Sequence, residues 1–77
     1  MKQIIPLNQI PLNIPSRLEK LECNETIRRR MLDLGLVPGT KIIPILKSPS
    51  GNPTAYEVRG SMIAIRKEDS KSIYVTI

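Results

Sequence analysis

Residues 24–40 read NETIRRRMLDLGLVPGT, and this stretch writes one helix, both of its ends and the turn that follows. Asn24 suits an N-cap, its side-chain oxygen accepting a free backbone N–H of the first turn, and Glu25 places negative charge at the positive end of the helix dipole. Ile27, Met31 and Leu34 recur at i, i+4 and i+7, which predicts one apolar stripe facing a core. Gly35 then supplies a left-handed residue just past the helix, where a Cβ would be penalised. Leu36, the next residue, is placed to touch Met31 across the helix end. Val37-Pro38-Gly39-Thr40 reads as a type II turn, with Pro setting φ at the second position and Gly taking the positive φ at the third. A strand begins at Lys41.

Outward from the helix, the pattern is one of short strands. Ile4 to Asn13 holds two prolines with apolar residues at Leu7, Ile10 and Leu12, which suggests a turn or helical turn laid over one end of a core. Arg17 to Leu21 is a first strand, with Pro15 at its start and an apolar side, Leu18 and Leu21, that does not alternate cleanly. Ile42 to Leu46 is a strand that Pro44 places at an edge or gives a bulge, because proline cannot donate to a ladder. Ser48 to Pro53 is a turn cluster. Thr54 to Arg59 follows as the return strand, with Tyr56 and Val58 on one side. Gly60-Ser61 is read as the next tight turn. Ile63 and Ile65, and then Ile73, Val75 and Ile77, supply two more period-2 strands on either side of a polar loop, Lys67 to Lys71. The expected fold is mainly β: a small barrel of about five strands, with one α-helix between the first and second and no exposed edge.

Composition narrows what such a domain can do. At 77 residues it is one domain with a small core and no cofactor-sized cavity. There is no Trp or Phe and only two Tyr, so the core must be aliphatic. No apolar run reaches the ~18 residues of a membrane span, and Met1-Lys2-Gln3 leads into Pro6 and Pro11 without the apolar region of a signal peptide. A single cysteine, Cys23, cannot form an internal disulfide, and it reads as a small, partly buried hydrophobe. These features point to the cytoplasm. Twelve basic residues against seven acidic ones give a net charge of +5, which suits an acidic partner surface and equally suits plain solubility.

The order of signals resembles the FeoA (ferrous iron transport protein A) family. The resemblance rests on RRRMLDLGLVPGT at 28–40, SPSGNP at 48–53, EVRG at 57–60, and IAIRKED at 63–69 ahead of a final IYV. The chain departs from the family pattern at Leu12-Asn13-Ile14-Pro15, where members usually carry Pro-Gly and small residues entering the first strand. The resemblance implies an SH3-like barrel. It also implies an accessory role in ferrous iron uptake, with a FeoB-type membrane transporter, whose cytoplasmic part holds a G-protein domain, as partner. The same barrel occurs in metal-dependent repressors, so a stand-alone relative of that regulatory domain is an alternative.

The chemistry of the residues agrees with a binding protein and not with an enzyme. There is no histidine, and one cysteine cannot build a four-coordinate site of N and S ligands, so neither a metal nor a cofactor is expected. Glu68-Asp69 is an adjacent acidic pair of the kind usually found solvated. No G-x-x-x-x-G-K-[ST] loop exists for a nucleotide, and no imidazole is present to activate a nucleophile. Function must then reside on a surface. On the helical wheel Arg28, Arg29 and Leu32 lie off the Ile27–Met31 stripe, so a leucine and a guanidinium one turn apart share an exposed strip that a partner could cover. The blander alternatives are a solvated basic face and a leucine folded against the following turn. Arg59, Arg66 and Lys67, at basic strand ends, are the next candidates. Binding of nucleic acid by a small basic barrel is the rival function, opposed by the shortage of aromatic rings on which bases stack. Two tyrosines are also too few for the groove of a proline-binding SH3 domain.

Overall fold

In the computed structural model, which describes residues 3–77, the helix starts at its written cap. Asn24 is extended, and its Oδ1 accepts the Ile27 N–H at 2.9 Å; α1 spans Glu25–Asp33. At the other end Gly35 has φ +91°. The Leu36 N–H donates to the Met31 carbonyl and the Gly35 N–H to the Leu32 carbonyl, both at 3.0 Å, which are the two bonds of a Schellman closure. Leu36 is fully buried and Met31 is 2% exposed. The following turn has Gly39 at φ +90° and the Thr40 N–H on the Val37 carbonyl at 3.0 Å. The Thr40 hydroxyl accepts from the Val37 N–H and donates to the Gly35 carbonyl, tying turn to helix end. Leu34 corrects the apolar stripe. It is the C-cap rather than a residue of the last helical turn, and it stands 41% exposed. The reversal at Gly35 gives the core position to Leu36 instead.

Six antiparallel strands follow the order β1-β6-β2-β3-β4-β5: β1 Ile4–Pro6, β2 Ser16–Leu21, β3 Lys41–Lys47, β4 Thr54–Val58, β5 Ser61–Ile65 and β6 Ile73–Thr76. The ladder therefore holds one strand more than the sequence pattern marks, and α1 lies between β2 and β3. Ile4–Asn13 divides into β1, paired with β6, and a 3-10 turn at Leu7–Gln9, from which Leu7 and Ile10 enter the core. The reading of Met1 and Lys2 lies outside the described residues.

Two bulges explain the irregular patterns. Against β6, the register of β2 shifts between Leu18 and Lys20, so Leu18 and Leu21, three apart, both face inward. In β3 the register against β4 shifts between Pro44 and Leu46, which turns Leu46 outward to 63% exposure. β3 is not an edge strand. It pairs with β2 only through Ser16 and Arg17, so the missing N–H of Pro44 falls beyond that ladder, while the Pro44 carbonyl accepts from the Asn13 N–H.

Three smaller readings also change. The tight turn is Arg59-Gly60, both at positive φ (52° and 80°) as a type I′ hairpin requires, and Ser61 already belongs to β5. The polar loop contains a short helix, α2, Lys67–Ser70. Ile77 lies past the end of β6 and is 52% exposed.

Strands β2 to β6 all contribute to one core of Leu, Ile, Val and Met with the single aromatic Tyr56, and Ile27 packs against it half-buried. Among the described residues no ladder joins β5 back to β1, so the sheet wraps its core without closing by hydrogen bonds. α2 packs against the 3-10 turn and β6.

Met31→Ala or Leu36→Ala should each cost about 2–5 kcal/mol, a large share of a small domain's stability. Leu34→Ala should stay within about 0.5 kcal/mol of the parent. Denaturant titration measures all three.

Candidate functional site

α1 presents its basic residues to solvent because its buried side is short. Arg28, Arg29 and Arg30 are all exposed, and Leu32, one turn after Arg28, keeps 44% of its surface. Arg28 and Leu32 line a groove between α1 and β2 whose floor is Leu18 and Leu21 and whose far end is Pro38. Leu32 thus lies beside the turn after the helix and stays open to solvent as well. The groove also holds Glu19, Lys20 and Glu25. Lys20 is already engaged: its ammonium lies 2.9 Å from Glu22 and 5.4 Å from the Tyr74 ring centre, and the Glu22 hydrogen bond raises its pKa. Among the described residues Arg28 forms no ion pair. The groove therefore offers an apolar side chain beside an uncommitted guanidinium.

The other candidates are not gathered here. Arg29 is exposed on the helix. Arg59 belongs to the type I′ turn and shares a basic concavity with Arg17 and Lys41, opposed by Glu57; its Cδ lies 3.7 Å from where a Cβ on Gly35 would stand. Arg66 lines a groove on the opposite side of α1 with Ile27, Arg30 and Met31, and Glu68 and Asp69 there offset its charge. Lys67 borders a separate cavity beneath α2. The six cationic and apolar candidates thus occupy five places on the surface, and only Arg28 and Leu32 share one.

Leu34 and Val37, exposed by 41% and 37% at the helix exit, are surface residues that the helical wheel misplaced or passed over. The available signal was Gly35: as the left-handed residue it makes Leu34 the cap, outside the last intrahelical turn.

Two titratable groups, the half-buried Cys23 and the buried Tyr56, carry no obvious chemistry. Burial raises the Cys23 thiol above its ordinary value, with Asp69 adding to the effect, and its Sγ faces the Ser72 carbonyl at 3.9 Å. Burial likewise raises the Tyr56 hydroxyl, against the opposing pull of the Ser70 and Thr54 hydroxyls. Glu68 is lowered by the hydrogen bond from Asn52 Nδ2, whose Oδ1 in turn accepts the Lys67 N–H, both at 3.0 Å. Among the described residues no three His, Cys, Asp or Glu side chains converge as a metal site would require. No helix of the described residues is long and apolar enough to cross a membrane.

The FeoA domain pattern matches residues 5–77, nearly the whole chain. The chain belongs to the FeoA domain family. The fold agrees with solved members. The solution structure of a FeoA-like protein from Clostridium acetobutylicum is 32% identical, with a TM-score of 0.86 over 97% of this chain and 87% of that one. The crystal structure of Stenotrophomonas maltophilia FeoA, complexed with zinc and described as a prokaryotic SH3 domain protein, is 29% identical, with a TM-score of 0.80 over 90% of this chain and 86% of that one. The mainly β, SH3-like architecture is therefore that of the family. A manganese-dependent transcriptional repressor shares the fold alone, at 6% identity and a TM-score of 0.85, over 97% of this chain and 42% of the repressor. No curated protein matches.

The raised Tyr56 hydroxyl and Cys23 thiol both make the domain less stable at alkaline pH. The fold holds both protons more tightly than the unfolded chain, whose groups titrate near 9.0 and 10.0. Stability is therefore fully present below those values and falls as pH rises through the higher folded ones. Tyr56→Phe should flatten the loss above about pH 10 in thermal melts, and Cys23 should alkylate more slowly than a free thiol in the folded protein but not in the unfolded one.

Proposed function

We propose that this FeoA domain is a non-catalytic cytoplasmic accessory of ferrous iron uptake, one that binds the cytoplasmic part of a FeoB-type membrane transporter and modulates or stabilises it. The observation that carries the reading is the groove between α1 and β2, where Leu32 stays exposed beside Arg28. An apolar anchor next to an unpaired arginine is the composition of a protein-binding hot spot. Arg29 extends the basic side of that contact, and Arg59, Arg66 and Lys67 serve faces that a larger partner reaches. Family membership supplies the iron-transport context, and the Stenotrophomonas relative is described as a candidate activating factor of ferrous iron transport.

Nucleic acid fits less well. Tyr56 is 2% exposed, which leaves Tyr74 for base stacking, and Lys20 already lies over that ring.

Loss of the protein should lower ferrous iron accumulation under anaerobic, iron-poor growth; unchanged uptake in a deletion strain would count against the accessory role. Leu32→Ser and Arg28→Glu should leave the melting temperature within a few degrees while weakening binding to the transporter's cytoplasmic part, measured by calorimetry at two salt concentrations. Met31→Ala should lose binding only in proportion to the fraction unfolded.

A further inference from the structure

The outer face of the meander β3–β4–β5 is apolar where a polar one is expected. An antiparallel sheet with one side on a core carries apolar residues inward and polar residues outward. The inner side obeys, with Tyr56, Val58 and Ile65 buried. On the outer side the register sets Leu46 opposite Ala55 and Ala55 opposite Ala64 in one row. The next row sets Ile43 opposite Glu57 and Glu57 opposite Met62, so Glu57 is the one polar residue of both rows. Leu46 and Met62 are more than half exposed, Ala64 is exposed, and Ile43 and Ala55 are half-buried. A row of cations borders this face. Arg17 pairs directly with Lys41, and Arg59, next after the Val58–Ile42 pair, stands on the other side of Lys41. All three line one concavity with Ile43 and Glu57, so the cationic row adjoins the apolar ones. Like charges set opposite each other weaken a sheet, and among the described residues none of the three forms an ion pair. Arg17 is held in place, its Nη1 donating to the Gly39 carbonyl at 3.0 Å.

The pattern of charge decides what fits this face. An anionic bilayer suits the cations but presses Glu57, set between Ile43 and Met62, against hydrocarbon with no counter-charge. A second copy brings an identical row of cations and the same net charge of +5. A protein segment meets every part: acidic residues along the flank that faces Arg17, Lys41 and Arg59, apolar residues over Leu46 and Met62, and one basic group for Glu57. Three neighbouring strands offer a platform ~10 Å across, which matches the width of one α-helix with its side chains. We propose that the outer face of β3–β5 is a docking surface for an amphipathic protein helix that is acidic along one flank. The inference does not rest on the transporter contact, since this face shares no residue with the groove of Arg28 and Leu32.

The probe is a synthetic helical peptide of about 14 residues, with leucines at i, i+3, i+4 and i+7, glutamates along one flank and a single lysine among the leucines. It is titrated into the full chain, labelled on backbone ¹⁵N and methionine ¹³C-methyl groups. Saturable shifts at Ile43, Ala55, Ala64 and the Met62 methyl are expected, with the methyl of the buried Met31 unmoved. A peptide with lysines in place of the glutamates should bind about tenfold more weakly, and Lys41→Glu should erase that preference. Met62→Ser should weaken the glutamate peptide about tenfold. Both changes fall at exposed residues and should leave the melting temperature within a few degrees, and Arg28→Glu should leave peptide binding unchanged. Equal affinity for the two peptides, binding that survives Met62→Ser, or shifts confined to the groove beside α1 would each overturn the proposal. So would the same shifts appearing more strongly with phosphatidylglycerol vesicles, which mark a bilayer, or with rising protein concentration alone, which mark a second copy.

Discussion

Leu36 enters the core because Gly35 reverses the chain in a left-handed conformation at the end of α1. The requirement for glycine there is conformational rather than spatial: an added Cβ would meet Arg59 at an ordinary contact distance of 3.7 Å, but at φ +91° an L side chain is strained. From this one reversal follow the buried Met31–Leu36 contact, the exposure of Leu34 and Val37, and the approach of the Arg59 turn to the helix end. Thr40 locks the arrangement by bonding both sides of the turn with a single hydroxyl, so the first residue of β3 leaves in a set direction. The helix is therefore placed by its exit as much as by its apolar stripe. The groove that it forms with β2 depends on the same few residues.

The net charge of +5 is spread over several faces instead of forming one basic patch. Arg28 stands by the α1–β2 groove, Arg66 across the helix among carboxylates, Arg17, Lys41 and Arg59 on the sheet, and Lys47 and Lys67 at a cavity. A surface so divided argues for discrete local contacts, each defined by its neighbours, over a broad electrostatic footprint of the kind that tracks a nucleic-acid backbone. Among the described residues, the α1–β2 groove pairs a guanidinium that forms no ion pair with an exposed leucine.

Local signals were the legible ones. Asn24, Gly35 and Gly39 act within four residues of where they stand, and cap, closure and turn all form as their residue types dictate. Tyr56 and Val58 face inward because β4 alternates without interruption. The residues that misled are those whose neighbours come from elsewhere in the chain. Leu18 and Leu21 break period-2 patterning because of a bulge set against β6; Pro44 did mark the bulge in β3, and only the alternative of an edge strand fails, because β2 stops pairing before it. β1 has three residues, one of them proline, and is a strand only because β6 is there to pair with it. The functional candidates show the same limit: the helical wheel put Arg28 and Leu32 on one strip, but nothing local indicated that Arg59, Arg66 and Lys67 would be carried to separate faces.

The place of β6 in the ladder has a consequence for how the chain reaches this fold. β3, β4 and β5 form a meander closed by a two-residue turn, so these pairings join residues near in sequence and cost little loop entropy. β2 and β1, by contrast, pair with β6, and the Thr76 hydroxyl bonds the Arg17 carbonyl across 59 residues of chain. Those contacts raise the contact order, which slows folding. During synthesis the amino-terminal strands must wait, their apolar sides uncovered, until β6 has emerged from the ribosome, and Leu18 and Leu21 find their cross-strand cover only when Val75 and Ile73 arrive.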